Sequence, residues 1–493
     1  MDKNTNNTQQ AFWIALGSLF SFSFGIISSV ILSRYFAKAD YGTYKQVLYV
    51  YSTMLVVFTL GLPKTYSFFL PRVNNYEAKD VIAKITNIFF IMGAFFTLSL
   101  FLLSGQIASL LKNEDLELAI KIFSPVPFFL LPTMGLEGIL ATYRMTYLTA
   151  IYTVISRIAM MLCVVLPVLF FDAGYIGALI GFTFSSFLIF LVALYLKYLP
   201  IKKYSKEKSS LKYKDIFNYS LPLMIASLWG VIETSSDQFF ISRYYGTEVF
   251  ADYSNGAMEL PFIGMILGAT AAVLSPIFSK MSYQKVDVKK ELYPLWIRVF
   301  EKSSMLTYPL LIFALFFAKE IMVFLYGESY INSAIYFQIF NLYFFFKIIV
   351  YGPYLINTGK QRLYANAHMY SVMLLIPVQL ITIYFIDSPI ALIIVSVFVK
   401  IGRTFFFLNV ISKDFKMQLR QILPIKSLIK IMLPSAILAF FTKYILIERL
   451  ELNNFWLLFL GVSIYFSLYG LYSYIFKINY WSIVSPMIKR NIK

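Results

Sequence analysis

Cysteine and histidine are almost missing from this chain of 493 residues, which holds one of each, Cys163 and His368. A lone thiol forms neither an internal disulfide nor a cysteine-rich metal site. Cys163 lies in the apolar run MMLCVVLPVLF and reads as a small buried hydrophobe. A lone histidine, in QRLYANAHMY, has no second histidine with which to ligate a metal or build a relay, and it reads as a polar group at a helix end. No metal site is expected, and enzymatic chemistry loses its commonest tools. Charge is scarce as well, at 14% of residues, where an ordinary soluble domain carries about a quarter. No Walker A motif appears, so ATP is not expected to drive the chain directly. No small-residue cleavage site follows a short apolar stretch, so the polar start MDKNTNNTQQ is expected to precede a retained helix rather than a signal peptide.

What fills the sequence is apolar: 59% hydrophobic residues and a mean hydropathy of +0.71. Runs of about 20 such residues, each long enough to cross ~30 Å of hydrocarbon as a helix, recur from end to end. They predict an all-α integral membrane protein of about fourteen transmembrane helices, over residues 11–33, 45–62, 85–106, 118–141, 148–171, 174–197, 216–240, 251–275, 300–325, 331–356, 365–386, 389–411, 427–447 and 453–476. Several contain proline (Pro132, Pro222, Pro261, Pro309, Pro377), which membrane helices tolerate when neighbours satisfy the freed backbone groups. Trp13, Trp456 and Trp481 fall near span ends, where amphipathic rings favour the interface.

Lysine and arginine orient these spans, because short basic loops stay on the cytoplasmic side. The segment after the sixth span, KYLPIKKYSKEKSSLKYKD, carries Lys197, Lys202, Lys203, Lys206, Lys208, Lys212 and Lys214. Loops on the same side and the tail add Lys64, Arg72, Lys79, Lys84, Lys280, Lys285, Lys289, Lys290, Lys413, Lys416, Arg420, Lys489, Arg490 and Lys493. The opposite side has chiefly Lys38, Lys112, Lys319 and Arg449. Both termini are therefore predicted to be cytoplasmic. The formal charge of +18 reflects this bias and attraction to anionic membrane lipids, without any nucleic-acid partner.

One phrase is written twice. LSRYFAKADYGTY (32–44) aligns without gaps on ISRYYGTEVFADY (241–253), placing Ser33, Arg34, Tyr35, Tyr41 and Tyr44 on Ser242, Arg243, Tyr244, Phe250 and Tyr253. The copies cap the first and seventh spans. Six crossings, an even number, separate them, so both lie on the outer face as a parallel repeat about an axis along the membrane normal. A fainter echo, TYRMTYLTA (142–150) against TGKQRLYANA (358–367), agrees in order and orientation. The expected organisation is an N-terminal six-helix lobe (1–199), a basic cytoplasmic linker (200–215), a second six-helix lobe (216–411), and two further helices with a cytoplasmic tail (412–493).

A charge in the middle of a span costs about 2.5–3.5 kcal/mol on insertion scales and is kept for a purpose. The candidates are Arg157, Glu137, Glu233, Asp237, Glu259 and Lys347, expected in a solvated cavity between the lobes. Glu233 and Asp237 are four residues apart and share one helical face, as do Asn255 and Glu259. The plainer alternative is that these charges pair internally and hold a lobe together. Arg34 and Arg243, at span ends, can equally anchor at the headgroups by snorkelling, and Lys64 reads as an inner-side anchor.

LSRYFAKADYGTYKQV resembles the first-loop signature of polysaccharide exporters in the multidrug/oligosaccharidyl-lipid/polysaccharide superfamily. DQFFISRYYGTEVFADYS is similar to that family's seventh-helix pattern, and GYIGAL (174–179) to the small-residue turn before its sixth helix. The resemblance implies a Wzx-type flippase of the bacterial cytoplasmic membrane, carrying undecaprenyl-diphosphate-linked oligosaccharide to the outer leaflet for O-antigen or capsule, by rocking of two lobes. It implies no cofactor, coupling to an H+ or Na+ gradient, and partnership with glycosyltransferases or a polymerase of the same pathway. On this reading Arg34, Arg157, Arg243 and Lys347 meet the diphosphate, while Glu137, Glu233, Asp237, Asn255 and Glu259 meet sugar hydroxyls or the coupling ion.

Departures separate the relatives. Lipid II flippases carry arginines within and just after the first helix, whereas residues 11–33 here hold no charge, only serines such as Ser18, Ser21, Ser23, Ser28 and Ser29. The major-facilitator loop signature is replaced by PRVNNYEAKD. A cation-coupled multidrug antiporter, for which Glu137 is the main acidic candidate in the first lobe, stays as the alternative. A polysaccharide polymerase or ligase is disfavoured by the short outer loops.

Overall fold

The computed structural model describes residues 7–284, 286–449 and 452–480. Among the described residues every regular element is helical, and the chain is an all-α integral membrane protein. Lys285, Trp481, Lys489, Arg490, Lys493 and the extreme termini lie outside the described residues, as does the side chain of Arg449.

Internal contacts divide the chain into two units, Met1–Ala251 and Asp252–Lys493. The first contains α1 (Asn7–Tyr35), α2 (Lys38–Thr59), α3 (Thr65–Phe69), α4 (Asn75–Leu102), α5 (Ser104–Leu111), α6 (Asp115–Phe123), α7 (Val126–Leu130), α8 (Leu136–Thr142), α9 (Thr146–Phe171), α10 (Gly174–Tyr198) and most of α11 (Tyr213–Gly256). The second contains α12 (Pro261–Tyr283), α13 (Tyr293–Phe316), α14 (Ala318–Tyr326), α15 (Ser333–Lys347), α16 (Tyr351–Asn357), α17 (Gln361–Phe385), α18 (Pro389–Asp414), α19 (Leu419–Ile422), α20 (Ile425–Arg449) and α21 (Asn454–Ile475).

Eleven helices among the described residues are long and apolar enough to cross a membrane, and two bent pairs, Lys38–Thr59 with Leu62–Arg72 and Ser333–Lys347 with Tyr351–Asn357, bring the number to thirteen. The shorter apolar stretch Leu19–Tyr35 stands where the first expected span lies, so each of the fourteen expected spans has a helical counterpart. The eighth departs most from expectation. It is not continuous over 251–275: the helix stops at Gly256 and restarts at Pro261. Pro261 occupies the first turn of α12, where its missing N–H is not needed, and the residue before it, Leu260, is extended (ψ 130°). In the fourth span Pro125, Pro127 and Pro132 divide 115–142 into α6, α7, a 3₁₀ turn and α8.

The order of elements is written twice. A long helix followed by a short one, α4 with α5, recurs as α13 with α14; the seven-residue helices α8 and α16 each lead into a long helix, α9 or α17. Each of those long helices turns into the next through a left-handed aspartate, Asp172 (φ 49°) or Asp387 (φ 46°), a conformation that aspartate tolerates through local hydrogen bonding. The phrase repeated in sequence sits at equivalent breaks. α1 ends at Tyr35, and α11 is interrupted at Gly246 (φ 82°, ψ 179°), a backbone state open to glycine and strained for other residues.

Within the first unit the two copies of that phrase touch. A Cβ on Gly42 would overlap the Thr247 carbonyl, so α2 and α11 meet backbone to backbone. Beside this contact, buried Gln46 donates to Ser242 Oγ (2.7 Å), and Asn113 Nδ2 donates to Gln46 Oε1 (2.6 Å) and Thr43 Oγ1 (2.9 Å). The rings of Tyr49 and Phe250 pack at 5.9 Å. Amides buried with their partners satisfied cost little and fix register. The motif PRVNNYEAKD proves to be a helix start: Asn74 Oδ1 accepts from the Tyr76 and Glu77 amides, and the Glu77 carboxylate accepts from the Asn74 amide, a capping box for α4. The basic linker is strapped onto that start. Asp80 accepts from Ser209 N (2.9 Å) and Ser209 Oγ (2.7 Å) and pairs with Lys84 at 2.7 Å, while Lys84 donates to the Leu211 carbonyl.

In the second unit the last two helices are bound into the core at a proline. Pro309, inside α13, has no N–H to offer the carbonyl of Met305 one turn before it. Tyr480 supplies the missing donor, its hydroxyl giving a hydrogen bond to that carbonyl at 2.9 Å, and Tyr465 Oη donates to the Pro309 carbonyl at 2.9 Å. Lys443 of α20 pairs with buried Glu320 of α14 at 2.9 Å and also donates to the Phe316 carbonyl. Trp296, fully buried, donates from Nε1 to the Val350 carbonyl at the bend between α15 and α16 (2.7 Å). His368 lies inside α17 rather than at a helix end, its ring 4.7 Å from Tyr364 and 6.0 Å from Phe407.

Candidate substrate-binding cavity

A cavity of about 170 Å³ opens in the first unit against α1, α2 and α9. Among the described residues its polar lining consists of Ser28 and Ser29 from α1, Tyr44 and Lys45 from α2, and Arg157 from α9, with no acidic residue among them. Local packing explains the convergence. α1 and α9 run close together because Gly17 leaves no side chain against Ala150, whose Cα would lie 3.2 Å from a Cβ there. On α2, Tyr41, Lys45 and Leu48 recur at helical spacing and so share one face. Lys45 Nζ donates to Ser29 Oγ (2.8 Å) and lies 5.1 Å from the centre of the Tyr41 ring. Tyr41, fully buried, shares a 2.6 Å hydrogen bond with Ser29.

Arg157 stands in the middle of α9, exposed, and makes no ion pair among the described residues. Two cations on one concave wall beside serine hydroxyls can accept a small polyanion by charge-assisted hydrogen bonds, the guanidinium in bidentate fashion.

The remaining sequence candidates are dispersed. Arg34 is exposed in the last turn of α1. Arg243 donates to the Leu110 carbonyl, completing the C-terminal end of α5 as basic side chains do, and its guanidinium lies 5.7 Å from the Tyr244 ring centre. Glu137 is exposed in the first turn of α8. Glu233 and Asp237 are buried on one face of α11, at 4% and 0% exposure. In the second unit Asn255 is buried near the end of α11, and Glu259, in the break before α12, pairs with Lys347 at 2.6 Å. The pairing joins one residue assigned to the diphosphate with one assigned to the sugar or coupling ion, and it neutralises both charges locally.

Two lysines were misplaced by sequence reasoning. Lys45 was drawn at the first position of a span beginning at 45, but α2 begins at Lys38, which puts Lys45 two turns inside the helix. Its spacing from Tyr41 and Leu48 was the available signal. Lys197 was counted among loop charges, yet it is fully buried at the end of α10, donating to the Met134 carbonyl (2.8 Å) and Tyr66 Oη (3.0 Å). Nothing in KYLPIKKY separates it from its exposed neighbours.

The backbone as a whole matches several solved membrane transport proteins. The lipid II flippase MurJ in its inward closed conformation aligns with a TM-score of 0.73 and 18% identity, over 93% of this chain and 97% of MurJ. A multidrug resistance MATE family transporter of the MOP superfamily, inward-facing, aligns with 0.61 and 14%, over 81% and 99%. A mutant of the Vibrio cholerae MATE transporter VcmN aligns with 0.58 and 15%, over 83% and 96%. At these identities the likeness is one of fold, and it defines the class: a multi-helix membrane protein with the MurJ and MATE architecture. No curated protein matches the sequence. The family is shown by its model: residues 31–335 match that of the polysaccharide biosynthesis proteins, and the chain belongs to that family.

Proposed function

We propose that this protein is a flippase that carries undecaprenyl-diphosphate-linked oligosaccharide across the bacterial cytoplasmic membrane by alternating access, for O-antigen or capsule, acting as a transporter and not as an enzyme. The observation that carries the reading is that Lys45 and Arg157 line the wall of one cavity, without an acid among its described lining residues, in a membrane protein of a polysaccharide biosynthesis family. A diphosphate crossing hydrocarbon needs compensating cations, and this wall supplies two of them with hydroxyl donors. Such a wall suits a cationic drug poorly, which counts against the multidrug antiporter.

In this account Lys45 and Arg157 hold the diphosphate, and the buried acids Glu233 and Asp237 are candidates for a coupling H+ or Na+. Arg34 stands exposed at a helix end, as a headgroup anchor would, whereas Arg243 is used on the Leu110 carbonyl. The bias of lysine and arginine toward one set of loops supports cytoplasmic termini. Deleting the gene in its native host is expected to make a diphosphate-linked oligosaccharide accumulate in extracted lipids while surface polysaccharide disappears. Rescue by the intact chain and failure of rescue by Arg157→Ala are the supporting results. Unchanged lipid carriers with altered resistance to cationic drugs would overturn the reading.

A further inference from the structure

A second concavity, of about 350 Å³, runs along the outside of the first unit between α9 and α10, away from the cation-lined cavity. On α9 its residues, among them Ile151, Ile155 and Ala159, follow one another at helical spacing, and the face is opposite to that of Arg157 and Val164. Leu188, Val192 and Leu196 of α10 form the other wall. Ile151, Ile155, Leu188 and Val192 are exposed, although they lie within helices long and apolar enough to span a membrane. The floor is firm: Leu148, Tyr152 and Leu196 pack on the buried cluster Leu136, Leu140 and Ala193.

One end of this groove is basic. Arg144 stands at the corner just before α9, and Lys202 and Lys203 follow the end of α10. All three are exposed and make no ion pair among the described residues. The segments 142–148 and 196–206, which form this end, contain five basic residues with Lys197 and Lys206 and no acidic one. The backbone that carries Lys202 and Lys203 is tied down, because Lys79 Nζ donates to the Lys202 and Tyr204 carbonyls and Ser209 beyond it is held by Asp80.

An apolar channel in a lipid-facing wall, closed at the headgroup level by unpaired cations, has the chemistry of an anionic phospholipid: acyl chain in the groove, phosphate at the basic end. We infer that the α9–α10 groove is a binding site for an anionic glycerophospholipid, held by Arg144, Lys202 and Lys203. The site is separate from the transported cargo, and its lipid is a fixed constituent of the folded protein in the membrane.

The test uses the purified full-length chain, equilibrated with equal amounts of phosphatidylglycerol and phosphatidylcholine of the same acyl chains, with retained lipid counted by native mass spectrometry. Phosphatidylglycerol is expected to be retained in preference. Its retention should fall about fivefold for each cation removed in Arg144→Gln, Lys202→Gln and Lys203→Gln. Ala159→Trp, which fills the groove and leaves the cations, should lower retention of both lipids. The neutralised variant loses only exposed side chains, so it decides the matter even if the groove-filling variant fails to fold. Equal retention of the two lipids, or preference unchanged by the three neutralisations, would overturn the proposal. So would displacement of phosphatidylglycerol by equimolar undecaprenyl phosphate, which would make the groove a carrier site.

Discussion

The cavity cation of the first unit and the helix-borne lysines of the second differ in how they are partnered, although the first unit has ion pairs of its own, Asp80–Lys84 among them. In the first, Arg157 lines a cavity with Lys45 and has no carboxylate partner among the described residues. In the second, Lys347 is held by Glu259 at 2.6 Å, Lys443 by Glu320 at 2.9 Å and Lys360 by Asp414 at 2.5 Å. A cation already paired has little left to offer a ligand, and breaking the pair would leave a charge uncompensated. An uncompensated cation in a membrane helix is costly for the apo protein and useful to one that receives an anion. The difference teaches that a duplicated fold need not carry duplicated chemistry: the first unit has a cation-lined cavity beside cohesive pairs such as Asp80–Lys84, and Lys347, Lys360 and Lys443 of the second are all held by carboxylates.

The largest effect should follow from breaking the wall. Arg157→Ala or Lys45→Ala each removes a charge-assisted contact of roughly 1.5–3 kcal/mol, so rescue of surface polysaccharide by either variant is expected to fall by about ten- to a hundredfold with the protein still present in the membrane. Next comes the join between the repeated phrases. Gly42→Ala forces α2 away from Thr247 and is expected to cost about 1–3 kcal/mol, read as a lower melting temperature of purified protein. A smaller effect separates cohesion from binding in the second unit. Lys347→Met alone should destabilise, while Lys347→Met with Glu259→Gln should recover most of the loss; the pair is partly exposed, so its coupling is on the order of 1 kcal/mol. The smallest should be Tyr480→Phe, at about 1 kcal/mol. In a Pro309→Ala background, where the helix supplies its own N–H, the same change should cost less, leaving only the loss of the Tyr469 hydroxyl contact at 3.1 Å.

The architecture was legible because membrane helices announce themselves by length and apolarity, and because LSRYFAKADYGTY and ISRYYGTEVFADY marked the repeat. The breaks were less so. Pro261 was read as a tolerated interior proline, yet it begins a helix, because nothing in GAMELPF shows that the turn before it is extended. Arg157 was visible as a charge inside an apolar run. Its neighbour in the cavity was hidden by a boundary placed seven residues late, which turned Lys45 from a cavity residue into a span end. The Glu259–Lys347 pair is the internal pairing that the sequence leaves open beside the cavity reading. Sequence offers Arg157 and Lys347 alike as partners of the face that Glu259 shares with Asn255, and only the packing of α15 near the start of α12, which joins residues 88 apart, selects Lys347.

The central claim is that Lys45 and Arg157 together receive the diphosphate. Its most direct measurement is the affinity of purified protein in nanodiscs for undecaprenyl diphosphate without any glycan, compared between the intact chain and Lys45→Gln with Arg157→Gln. A loss of a hundredfold or more in the double variant, with undecaprenol itself bound equally weakly by both proteins, is the predicted result. Equal affinity of the two proteins for undecaprenyl diphosphate would contradict the account.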